Sequence, residues 1–104
     1  MNLEMVRGDT FVKTLTLKKN GQTYTPHEND VIKFTVCKGF KDERGYKVFI
    51  QKTIDHQLMQ IKIESSETEN MLYGSYNFDM EITYNDGTVE TFARGNFKLL
   101  EEAT

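Results

Sequence analysis

The sequence has no tryptophan, one cysteine, one proline and two histidines. A lone cysteine, Cys37, has no partner for an internal disulfide, so synthesis in a reducing compartment is expected. Without tryptophan there is no Cys…Trp…Cys signature of antibody-type domains. His27 and His56 have no companion histidine or cysteine at a ligand spacing, so no metal is expected. No glycine loop suited to cradling phosphate occurs, and no cofactor is expected. Apolar runs stay well short of the ~18 residues that cross a bilayer, and no basic-then-apolar leader opens the chain. Neither sign of charge dominates: 13 basic and 16 acidic side chains give −3. That balance argues against a nucleic-acid or membrane partner.

What is present is enough for one domain, 1–104, with 101–104 a fraying polar tail. A chain of this mass is expected to expose roughly 6,000 Å² of the roughly 17,500 Å² of its unfolded form, which allows a core without disulfides or metals.

Turn chemistry at Asn20-Gly21, Gly39 to Gly45, Asp55-His56, Gly74 and Asp86-Gly87 separates runs rich in Thr, Val, Ile, Tyr and Phe. Such punctuation reads as short strands. From Tyr76 the apolar residues Phe78, Met80, Ile82 and Tyr84 alternate with Asn77, Asp79, Glu81 and Thr83, the pattern of one dry and one wet face. A turn at Asp86-Gly87 sets Tyr84 against Val89, Met80 against Ala93, Phe78 against Gly95 and Tyr76 against Phe97. The alternative register, one residue out, would turn Glu90, Arg94 and Lys98 inward. Asp79 then faces Arg94 as a cross-strand ion pair.

Phe11, Leu15 and Leu17 share one side of 9–19, and Asn20-Gly21 returns Tyr24 beside Leu17, while Lys13 marks a bulge or an edge. Ile32, Phe34 and Val36 share a face opposite Lys33, Thr35 and Cys37. Val48, Ile50 and Ile54 precede a hairpin through Asp55-His56 that sets Ile50 against Ile61, with Met59 and Ile63 alongside. Ser66 and Glu69 form a capping box, predicting one short helical turn near 66–72. The fold expected is all-β: a two-sheet antiparallel immunoglobulin-like β-sandwich of about seven to eight strands, with a five-stranded barrel as the competing architecture.

Reactive constellations are thin. Arg7-Gly8-Asp9 reads as a bend before a strand rather than an adhesion loop. Asp79 and Glu81 lie about 7 Å apart on a wet strand face, a spacing glycosidases use, but one that recurs on most solvated strands. Glu67 and Glu69 fit the first turn of a helix. Cys37, beside Lys33 and Lys38, has no local partner for nucleophilic catalysis. Residues 38–47 interleave Lys38, Lys41, Arg44 and Lys47 with Phe40 and Tyr46, but Asp42 and Glu43 dilute the charge, so a hairpin loop is the simpler reading. No enzyme activity is expected. Phe49 and Phe92 fall on the polar parity of their strands, and with Phe40 in its loop they are candidate protein-interface residues.

The run Arg7-Gly8-Asp9-Thr10-Phe11, Leu15-Thr16-Leu17 and Val31-Ile32-Lys33-Phe34-Thr35-Val36 is followed by Gly74-Ser75-Tyr76-Asn77-Phe78-Asp79-Met80-Glu81-Ile82. Asp86-Gly87-Thr88-Val89-Glu90-Thr91 and Gly95-Asn96-Phe97-Lys98-Leu99 close the series. This series resembles small immunoglobulin-like β-sandwich proteins of tailed bacteriophages and prophages, similar to the N-terminal domains of baseplate or tail proteins. The resemblance implies a non-enzymatic virion structural or assembly module, made in the bacterial cytoplasm and carried in the virion. It implies contacts with copies of itself, as a homo-oligomer, or with neighbouring virion proteins. A free-standing sandwich that binds a carbohydrate or a host protein is the alternative.

Overall fold

Alternating burial along β8 (Gly74–Thr83) organises the molecule: Tyr76, Phe78, Met80 and Ile82 are at most 2% exposed, whereas Asn77 and Ser75 face solvent. In the computed structural model, which describes residues 2–39 and 44–102, β8 is the middle strand of a five-stranded sheet. Its order is β1 (Asn2–Val6), β9 (Val89–Leu100), β8, β5 (Val31–Lys38) and β6 (Lys47–Ile54). Above the inner face lie two separate two-stranded ladders. One pairs β2 (Phe11–Thr14) with β7 (Gln60–Ile63), the other β3 (Leu17–Lys19) with β4 (Gln22–Tyr24). Ile32, Phe34 and Val36 from below meet Leu15, Leu17, Ile61 and Ile63 from above in one dry core. The all-β sandwich architecture is therefore present.

Several details differ from the sequence expectation. The described strands number nine, and β1 runs parallel to β9, where antiparallel pairing throughout was expected. β1 was missed, although Leu3 and Met5 alternate with Asn2 and Glu4 and are buried. Residues 55–59 do not close a hairpin. The Asp55 carboxylate accepts hydrogen bonds from the amides of Gln57 and Leu58, and Met59 adopts φ +48°. That tight turn lifts the chain out of the large sheet, so β7 pairs with β2, Ile61 against Lys13, instead of with β6. Lys13 accordingly sits in a ladder of two strands, both of them edges.

The Asn20-Gly21 turn is as expected: both residues have positive φ, the conformation of a two-residue hairpin loop, and Leu17 pairs with Tyr24. The helix is shorter and earlier than expected, α1 being Ser65–Thr68. The cap pair shifts two residues upstream, with the Glu67 carboxylate accepting from the Glu64 amide at 2.7 Å. Lys52 fixes this choice, its Nζ lying 2.6 Å from the same carboxylate. Thr68 then points inward, fully buried.

The β8–β9 hairpin carries two registers. At its tip Tyr84 and Thr88 enclose Asn85-Asp86-Gly87, a three-residue loop with Gly87 at φ +90°, and Thr83 pairs with Val89. This is one residue out from the expected pairing. The shift is harmless there, because Glu90 remains exposed and accepts from the Tyr84 hydroxyl at 3.1 Å. A β-bulge then restores the expected register, with Glu81 against Thr91 but Met80 against Ala93, leaving Phe92 as the extra residue. Arg94 and Lys98 consequently stay exposed. The β5–β6 pair repeats the device: Val36 faces Ile50 and Cys37 faces Val48, so Phe49 is extra.

The total accessible surface is 6968 Å², above the expected value, because the molecule is a flat slab of 45 × 31 × 22 Å. In urea denaturation, Phe34→Ala is expected to cost about 3–5 kcal/mol, since Phe34 is wholly buried and packs on Phe78. Phe92→Ala is expected to cost less than half as much. Equal losses would show that the bulge does not leave Phe92 at the margin of the core.

Candidate functional site

Two polar clusters at opposite ends of the slab use up most of its unusual side chains. At one end Asp30, 7% exposed, precedes β5 and accepts three hydrogen bonds. The Tyr24 hydroxyl donates at 2.6 Å, the His27 amide at 2.9 Å and the Asn85 amide at 3.0 Å. One carboxylate thus ties the loop after β4 to the β8–β9 turn. Burial pushes its pKa up, but these three donors outweigh that and hold it below the usual carboxylate value. The hydrogen bond to Asp30, then burial, then the Asp30 charge push the Tyr24 hydroxyl up to about 12. Lys19 Nζ lies 4.1 Å from the centre of the Tyr84 ring, which meets Tyr24 edge to face. Sequence reasoning passed over Asp30. Its only signal is a polar Glu28-Asn29-Asp30 run abutting a buried strand.

At the other end Arg7-Gly8-Asp9 is a turn after β1. Arg7 donates to the Met71 carbonyl, to the Tyr73 hydroxyl at 2.6 Å and to Glu102, and its guanidinium stacks 4.0 Å above the Tyr73 ring. Gly8 takes φ +87°, and its amide donates to the buried Thr68 hydroxyl at 3.0 Å. The arginine of the tripeptide is thereby engaged within the fold.

Of the candidate interface residues, Phe40 lies outside the described residues. Phe49 and Phe92 do not stand free on the wet face as their parity predicts. Each is the extra residue of a bulge, and each packs against the rim of the core. Phe49 meets Tyr76 edge to face at 5.0 Å and carries Lys47 at 5.0 Å on its ring. The two phenylalanines lie on opposite sides of the sheet's middle strand, one on β6 and one on β9. The bulge exposes Val48 instead, at 42%.

On the outer face of the five-stranded sheet Gln51 donates to the Thr35 hydroxyl at 3.3 Å. Register sets Gln51, Thr35, Asp79 and Arg94 in one row across four strands, and Val48, Cys37, Asn77 and Asn96 in the next. Asp79 faces Arg94 as expected, yet the two do not close to ion-pair distance; the ion pairs among the described residues are Arg7–Glu102, Lys52–Glu67 and Lys62–Glu64. Tyr46 borders a groove of about 370 Å³ over Asn77, Asp79, Arg94 and Asn96, and a smaller one of about 140 Å³ over Lys33, Thr35, Gln51 and Glu81. Tyr46 and Asp79 line both, so the two adjoin. Cys37 is buried at the floor.

Among the described residues, no group of three or more His, Cys, Asp or Glu is placed to hold a metal, and no helix is long and apolar enough to cross a membrane. The sequence matches no protein-family model and no curated protein.

Asp30→Ala is expected to lower stability by about 3 kcal/mol, since it strands a hydroxyl and two amides. The Asp30 contribution is fully present above pH 3.8 and is lost as pH falls below that value. The Tyr24 contribution runs the other way, complete below pH 10.0 and lost as pH rises towards about 12. Thermal melts of the wild type and Asp30→Asn across pH should therefore converge at both extremes. Parallel curves would refute the role assigned to this carboxylate.

Proposed function

We propose that this chain is a non-enzymatic β-sandwich module that works by docking onto other protein chains, as a structural or assembly part of a phage or prophage tail or baseplate. The observation that carries the docking half is the contrast between the two ends of the large sheet. β6 has the features that keep an edge from pairing: Lys47 and Lys52 along it, and the Phe49 bulge interrupting it. β1 has none of them. It pairs with β9 from Asn2 against Asn96 to Val6 against Leu100 without a shift, and it contains no lysine, proline or bulge. Among the described residues no strand covers its far side. Apart from the Val6 carbonyl, which accepts from the Asp9 amide at 3.1 Å, this is a straight edge open to an added strand.

The tail setting is supported by the likeness of the Arg7 to Phe11, Gly74 to Ile82 and Gly95 to Leu99 segments to phage sandwich proteins. In that setting the partner strand comes from a second copy or from a neighbouring virion protein, and the module is made in the cytoplasm before assembly.

Size-exclusion chromatography with light scattering, on the chain alone and co-expressed with the products of flanking genes, tests this. Association is expected, and Glu4→Lys, which adds a lysine to the free edge, is expected to weaken it about 10-fold, whereas Glu4→Gln, which removes the charge facing Lys98 without adding a lysine, is expected to leave it unchanged. A strict monomer with no affinity for any flanking product would overturn the proposal.

A further inference from the structure

On the grooved outer face of the large sheet Gln51 donates to the Thr35 hydroxyl at 3.3 Å, but the four polar side chains of β8 and β9 beside them stand in facing pairs and are unspent. Asn77, Asp79, Arg94 and Asn96 make no side-chain hydrogen bond within the described residues, whereas Arg7, Asp30 and Glu67 use theirs internally. These four sit on adjacent strands, Asn77 against Asn96 and Asp79 against Arg94, at the ~4.8 Å spacing of a ladder. Each ends in a planar group that presents two polar atoms side by side, amide, carboxylate or guanidinium.

We infer that this face is a binding site for a neutral, hydroxyl-rich ligand of the saccharide class. Three features select that chemistry. First, the charges cancel: Lys33 faces Glu81 and Arg94 faces Asp79, so the face attracts neither a phosphate chain nor a cation. Second, planar two-atom groups in a row match pairs of neighbouring ring hydroxyls, donating to some and accepting from others. Third, the Tyr46 ring borders both grooves and supplies an apolar wall for the C–H face of a sugar. A volume of about 370 Å³ is in the range of small-molecule sites, and the adjoining 140 Å³ groove extends it past Gln51 and Lys33. An extended peptide fits less well, because strand addition needs a free backbone edge, and the central strands have theirs paired. The site lies on the outer face, not at the free backbone edge of β1, although Asn96 pairs with Asn2; its Arg94 end and the edge are tested separately.

The test is a 15N NMR titration with three neutral probes, maltotriose, cellotriose and chitotriose, at millimolar concentrations. Saturable shifts are expected for at least one, confined to the amides around Asn77, Asn96, Gln51 and Tyr46 and insensitive to added salt. Arg94→Ala and, separately, Asn96→Ala are expected to weaken that binding about 10-fold with the amide spectrum otherwise intact. Val12→Ser on the opposite layer is expected to leave it unchanged. No shift with any probe, shifts centred elsewhere, or variants that bind as well as wild type would overturn the proposal. So would salt-sensitive binding of a sulfated oligosaccharide in place of the neutral ones.

Discussion

The inward side chains of β5, Ile32, Phe34 and Val36, have no contact with water, and the rest of the molecule is arranged so that they can remain dry. β8 lies on one side of β5 and β6 on the other, supplying Ile82, Met80 and Phe78 from one direction and Ile54 and Ile50 from the other. Ile61 and Ile63 close the lid, and because they arrive on a separate ladder, the chain must climb out of the sheet between Asp55 and Met59. At about 25 cal/mol per Å² of apolar surface, this seam supplies most of the driving force that offsets chain entropy. Cap, turn and bulge are the adjustments that let the seam close.

The polar clusters do a different job. A two-layer slab has open ends, where loops from both layers meet water and backbone groups lose their strand partners. Asp30 satisfies two amides at one end, and Arg7 and Thr68 satisfy a carbonyl and an amide at the other. These contacts hold loops from distant parts of the chain together, Arg7 with Glu102 and Asp30 with Asn85, in a chain whose single cysteine allows no internal disulfide. They are struts, and side chains employed this way are removed from the pool available for catalysis or recognition.

What could be read in the sequence was whatever local alternation controls. The dry stripe of β8, the buried stripe of β5, the Asn20-Gly21 turn and the pairing of Tyr76 with Phe97 all follow from period two and turn chemistry. Phe49 and Phe92 were misplaced for one shared reason: strict parity assumes an unbroken ladder, and a single inserted residue rotates its own side chain to the other face. The β6–β7 hairpin failed because Asp55-His56 looks like any tight turn until the carboxylate's two amide bonds show the chain leaving the sheet. The grooved face is harder still to read in advance. Asn77 and Asn96, or Asp79 and Arg94, are unremarkable wet-face residues one at a time. They become facing pairs only when β8 and β9 fall into register.

The doubled register of the β8–β9 hairpin reaches beyond its own geometry. Because Phe92 sits between Thr91 and Ala93 without a partner, the tip and the base of the hairpin are not rigidly geared to each other. A three-residue loop with the extra residue and a four-residue loop without it deliver the same inner pairs from Met80 to Tyr76. A change of loop length can therefore be absorbed in the arm provided Asn85 keeps its amide on Asp30, so the anchored side of this fingertip is fixed and only its Asp86-Gly87-Thr88 side has slack.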